Sequence, residues 1–231
     1  MGSAGRVVVA TPHERFDAVE RRLREEAGLD VVRLRAREAL DVAALARIAP
    51  RYVFFPHWSW KIPAEVYDQF ECIIFHMTDV PYGRGGSPLQ NLIVRGHETT
   101  MLSALRCVAE MDAGPVYLKR PLSLLGTAEE ILIRAGDLIG KMIVEIATTR
   151  PAPVAQSGEV VAFRRRTPAD GALGDLATLA QAFDLIRMLD ADGYPRAFAD
   201  VGPFRLEFDR ASFRPGQIQA DVRIRLRETE A

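Results

Sequence analysis

The chain has 231 residues, 48% of them apolar, with 30 Lys and Arg against 31 Asp and Glu and a formal net charge of −1. That length supports a real core without staples, as one elaborated domain or one domain plus a small second one. The balanced charge lacks the basic excess of a nucleic-acid-binding domain, so no nucleic-acid partner is expected.

Cys72 and Cys107 lie in apolar surroundings without CxxC spacing. They read as buried small hydrophobes in a reducing compartment, not as a disulfide or zinc site. No secretory signal and no apolar window near the roughly 18 residues of a spanning helix is visible, so a cytoplasmic protein with no membrane partner is expected. Met1 to Ser3 read as a cloning remnant.

"RVVVA" (Arg6 to Ala10) opens the chain as a buried strand, and Glu14 to Gly28 follows with helical periodicity, Gly28 serving as its stop. "DVVRL" is a second strand, and a helical stretch through "DVAALARIA" leads to Pro50. Arg51 to Pro56 is a third buried strand, Ala64 to Gln69 a short helix, and Cys72 to Met77 a fourth strand. This alternation of strands and helices predicts an α/β fold with a mainly parallel, Rossmann-like sheet.

A helix is predicted over Pro88 to Arg95, a strand from about Thr100, a turn at Met111 to Pro115 and a strand in "VYLKRPLSL". Thr127 to Thr148 reads as a long helix opened by a capping box of Thr127 and Glu130. "TRPAPVAQSG" breaks the pattern and serves as the linker between a catalytic domain, 1–150, and a small C-terminal α+β extension, 151–231. The extension holds a strand, a helix across "LATLAQAFDLIRMLD", and strands in "FRLEF" and "QADVRIRL". Its last strands offer an edge at which a second copy could pair as a homodimer.

Ligands in open α/β sheets bind beyond the carboxyl ends of strands, which directs attention to His57 and His76. A lone histidine at a strand end is more often structural than catalytic. After His76, however, come Gly83, Gly85 and Gly86, which admit close backbone approach, with Arg84 among them and Pro81 and Pro88 at the loop's ends. The loop lacks the spacing of a GxxxxGK[ST] or GxGxxG phosphate motif. Asp112 in "EMDAGPVY" is a second candidate, since a carboxylate beside an imidazole orients it to take a proton from an attacking amine. Phe55, Trp58 and Trp60 read first as core packing, and Arg164 to Arg166 as solvated surface. No metal constellation is present.

His76, Thr78, Pro81, Arg84, Gly85 and Pro88, followed by Asp112 and Gly114, together resemble the paired motifs of the folate-dependent formyltransferases. The stretches "RRRTPADGALGD" and "FDLIRMLDADGYPRAF" are similar to the segment after the catalytic domain in the amino-sugar members of surface-glycan pathways. The resemblance implies transfer of the formyl group of N10-formyltetrahydrofolate to the primary amine of a nucleotide-linked amino sugar, such as a UDP-4-amino-4,6-dideoxy sugar. It implies His76 as the base and Asp112 as its partner. Asp112, Ala113 and Gly114 would bind the donor, and Thr78, Arg84 and Gly85 the acceptor side.

The family's asparagine two residues before the histidine falls on Ile74, which donates no hydrogen bond. His57, Ser59, Thr78, Asn91 or loop amides are the replacements to consider. Two alternatives follow: a catalytically degenerate binding protein, and a methionyl-tRNA formyltransferase-like enzyme, which the short C-terminal region and near-neutral charge disfavour.

Overall fold

The computed structural model describes residues 5–227; the reading of Met1 to Ser3 lies outside them. Strands β1 (Val7–Ala10), β2 (Val31–Leu34), β3 (Tyr52–Phe55), β4 (Cys72–His76), β6 (Thr99–Arg106) and β7 (Val116–Ser123) form a six-stranded sheet. Its order is β2-β1-β3-β4-β6-β7. β2, β1, β3 and β4 pair in parallel, while β6 pairs antiparallel with β4 in the register Ile73↔Arg106 to His76↔Ser103. The fold is the expected α/β architecture with a mainly parallel sheet.

The local reasons are visible in the side chains. Every residue of β1 and β3 is buried, as continuous apolar runs covered on both faces require. Helix α1 (Asp17–Glu25) buries Val19 and Leu23, four residues apart on one face, and the chain turns out of it at Gly28 with φ +62°. Helix α2 (Val42–Ile48) is capped by Asp41, whose carboxylate accepts from the Ala44 amide at 2.8 Å. Helix α3 (Ala64–Tyr67) buries Val66.

The glycine-rich stretch predicted as a loop contains strand β5 (Tyr82–Gly85), which pairs with β8 (Val161–Phe163) in a separate two-stranded sheet. Its pairing is with a segment far along the chain, so no local alternation announces it.

The chain divides into two compact units. One holds the chain through Gly85, Thr100–Leu122 and Ile133–Ala162. The other holds Gly86–Thr99, Ser123–Leu132 and the chain from Phe163. Helix α5 (Ala128–Thr149) opens with the expected box, in which the Thr127 amide donates to Glu130 at 2.8 Å and the Glu130 amide to Thr127 Oγ1 at 3.3 Å. Within the second unit, α4 (Pro88–Val94) and a three-stranded antiparallel sheet pack on α6 (Leu179–Met188). The sheet consists of β9 (Ala197–Val201), β10 (Phe204–Arg214) and β11 (Gln217–Leu226). β9 is an addition to the predicted strands: it is half exposed and carries no continuous buried run.

Candidate active site

The site is assembled at the end of β4. His76 is the last residue of that strand, and Ser103 opposite it donates through Oγ to the Thr78 carbonyl at 2.7 Å, fixing the chain as it leaves the sheet. The chain then passes the cis Val80–Pro81 bond into β5. Lys119 holds this passage by donating to Val80 O at 2.6 Å and pairing with Asp79.

His76 is buried, and its Nε2 lies 2.8 Å from Gly83 O. A carbonyl only accepts, so Nε2 carries the proton of the neutral ring and Nδ1 carries the lone pair. Nδ1 faces Asp112 Oδ2 at 3.5 Å, with the two side chains 8% and 11% exposed. The same Oδ2 accepts from the Gly85 amide at 3.0 Å.

Asp112 stands at φ +53°, a left-handed conformation costly for a non-glycine residue and held here by its surroundings. Gly114, two residues on, is required by space: a Cβ there would lie 1.8 Å from Arg106 O.

The predicted site residues are distributed as follows. His76, Asp112 and Gly85 meet directly. Arg84 does not point a free cation outward, because Nε and Nη2 donate to Gln156 Oε1 at 3.0 and 2.8 Å and Nη1 to Glu110 at 3.0 Å. Thr78 is fully buried, its hydroxyl 3.3 Å from Gly83 O. Ala113 donates to Glu110 O at 3.3 Å, while the carbonyls of Asp112 and Gly114 accept from Gln156 Nε2, each at 2.8 Å.

Of the replacements considered for the missing asparagine, Asn91 Nδ2 is occupied by Gly86 O, Ser87 O and Arg164 O. His57 is partly buried, and its buried Nε2 has no hydrogen-bond partner. Burial, then the charges of Arg15 and His13, push it down to about 3, so it is a neutral ring at neutral pH. Ile74 itself packs against the apolar cluster around Val53, Phe55 and Cys72. Trp58 packs against the same cluster, and Trp60 lies edge-on to it at 4.8 Å. In the basic run, Arg164 pairs with Asp170 and holds that carboxyl below the usual range.

Sequence reasoning missed Gln156, Lys119 and Glu110. Gln156 sits in the proline-bearing stretch read as a linker, where no periodicity marks it. Among the described residues there is no group of three or more His, Cys, Asp and Glu able to hold a metal, and no helix long and apolar enough to cross a membrane.

A methionyl-tRNA formyltransferase from Clostridium thermocellum is 43% identical to this chain, covers 96% of it and 99% of its own length, and superposes with a TM-score of 0.93. The chain belongs to the formyltransferase family. Residues 168–225 match the family described as methionyl-tRNA formyltransferase, C-terminal domain. A methionyl-tRNA formyltransferase of Thermobifida fusca (strain YX) is 29% identical over 234 residues, which is 95% of this chain and 73% of the relative. Among the first curated relatives, the chain spans from 50% to 73% of their length. HypX from Aquifex aeolicus in complex with tetrahydrofolic acid shares the fold, with a TM-score of 0.72 at 19% identity over 93% of this chain and 40% of that one.

These likenesses correct two expectations. The nucleotide-linked amino-sugar acceptor and the surface-glycan setting are overturned by relatives at 27–43% identity that carry the methionyl-tRNA name. The exclusion of nucleic acid falls with them. It rested on whole-chain charge, whereas phosphates are met locally, and between Phe204 and Arg227 six arginines stand against three acids.

Proposed function

We propose that this formyltransferase moves the formyl group of N10-formyltetrahydrofolate to the amino group of methionyl-tRNA, using His76 and Asp112. The observation that carries the acceptor is the end-to-end likeness, at 43% identity, to a chain named for that reaction.

The chemistry follows from the hydrogen bonds. Gly83 fixes the proton of the neutral ring on Nε2, which leaves Nδ1 as the nitrogen able to take a proton. As the amine nitrogen bonds to the formyl carbon it must lose one proton, and as the bond to N10 breaks that nitrogen must gain one. His76 Nδ1 accepts the first proton and returns it for the second, so the ring ends as it began. The 3.5 Å separation from Asp112 Oδ2 closes to a charge-assisted hydrogen bond when Nδ1 is protonated.

The amides of Asp112 and Gly114 are the turn groups assigned to the donor, since Ala113 N–H already meets Glu110 O. The Ile74 position supplies no donor to the developing oxyanion, and that task passes to the Gly83 amide, since the Gly85 amide is held by Asp112 Oδ2 and the Gly86 amide by Phe163 O. The division into a catalytic domain, 1–150, and an extension, 151–231, is retained in this reading, supported by the family match over 168–225.

The test is transfer of labelled formyl from N10-formyltetrahydrofolate to methionyl-tRNA by the wild type and by His76→Ala. Formylmethionyl-tRNA from the wild type alone, with both proteins melting alike, is the expected result. Equal product from His76→Ala removes His76 as the base, and no product from the wild type removes methionyl-tRNA as the acceptor.

A further inference from the structure

Gln156 makes four hydrogen bonds and leaves no polar atom of its amide unused. Oε1 accepts twice from Arg84, at 3.0 and 2.8 Å, and Nε2 donates to Asp112 O and Gly114 O, both at 2.8 Å. Guanidinium only donates and carbonyls only accept, so the amide fits in one orientation. It therefore grips two segments at once: β5 through Arg84, and the Asp112 turn through its backbone. Between these grips lies the contact of Gly85 N with Asp112 Oδ2, the oxygen that faces His76.

We propose that Gln156 is a positioning residue, holding the Asp112 carboxylate against His76 by clamping the turn and β5 together. The proposal rests on the reading of His76 and Asp112 as the reacting pair. Without the clamp, the left-handed Asp112 has lost the bonds to its own and Gly114's carbonyl, and its carboxylate is free to move relative to the imidazole. Misplacement of a reacting group by about 1 Å commonly costs on the order of 10²-fold in rate.

Two variants of the whole chain separate this role from simple support. Gln156→Leu removes both grips. Gln156→Glu keeps two acceptors for Arg84 but, as a carboxylate, offers no N–H to the turn. We expect kcat to fall by about 10- to 100-fold in both. We also expect amide exchange at Gly85 to speed up by roughly tenfold or more in Gln156→Leu, while β1 and β3 amides keep their protection. Protonating the introduced carboxyl of Gln156→Glu restores one donor, so its kcat relative to wild type should rise as pH falls toward about 4, where a carboxyl beside the Arg84 guanidinium begins to take up a proton.

Wild-type kcat and unchanged Gly85 exchange in Gln156→Leu would overturn the proposal. So would loss of protection throughout β1 and β3 together with a pH-independent ratio in Gln156→Glu, which would mark a purely structural role. Should His76→Ala retain turnover, the base reading fails separately, and the Gly85 exchange still decides whether Gln156 holds the contact.

Discussion

Gly114→Ala places the least possible atom at the most crowded point of the site. The added Cβ would lie 1.8 Å from Arg106 O and 2.9 Å from Arg106 C, both backbone atoms unable to rotate away. Restoring an ordinary contact of about 3.4 Å requires a shift of about 3.4 − 1.8 = 1.6 Å in the turn. Gln156 and the Asp112 carboxylate are bonded to that same turn, so the 3.0 Å contact with Gly85 N and the 3.5 Å approach to His76 move with it. Overpacking of this kind costs about 1–3 kcal/mol of stability, and a displacement above 1 Å at a reacting group costs about 10²-fold in kcat. The assay pairs thermal melting with initial rates of formyl transfer. Gly28→Ala is the control: a Cβ there meets nothing within 4 Å, yet φ is +62°, so it loses about 1 kcal/mol of stability and no activity. Gly114→Ala with wild-type kcat would refute the account of a turn fixed by close packing.

His57 makes stability depend on acidity. Its folded value is pushed from 6.5 down to about 3, so below about pH 6.5 the unfolded chain binds a proton that the folded chain refuses. Stability is intact above that range and falls by about 1.4 kcal/mol per pH unit down to the folded value; urea midpoints between pH 7 and 4 should show this, and His57→Gln should remove that part of the slope. Recognition of tRNA should appear as salt sensitivity. With about three phosphate contacts, kcat/KM for methionyl-tRNA drops roughly 40-fold over a fourfold rise in salt, whereas a phosphate-free methionine amide shows no such slope. Equal slopes for the two acceptors would argue against phosphate recognition.

The parts legible in the sequence were those whose reason is local. Continuous apolar runs marked β1, β3 and β4, and Thr127 with Glu130 and Gly28 marked helix ends by hydrogen bonding and backbone freedom that neighbours in sequence supply. His76 and Asp112 were singled out by residue type and order, and the fold brings them to 3.5 Å. The illegible parts depend on distant pairing. β5 becomes a strand only because β8 reaches it, and β9 only because β10 lies beside it. Gln156 gains its place from Arg84, 72 residues earlier. Charge misled for a related reason: the whole-chain sum cannot show that Arg223, Arg225 and Arg227 cluster on one strand end, each beside Asp209, Glu207 or Asp200.

The interleaving of the two units has a consequence for how the chain is made. Helix α4, with Leu89, Leu92 and Ile93 all buried in the finished fold, packs on α6, which begins 179 − 94 = 85 residues later. At translation rates of about 5–20 residues per second, α4 waits roughly 4–17 s on the ribosome before α6 even begins to be made. Cutting the gene after the catalytic sheet would make that wait permanent, so a truncated product carries a sticky apolar helix, and chaperone demand during synthesis is written into the order of the segments.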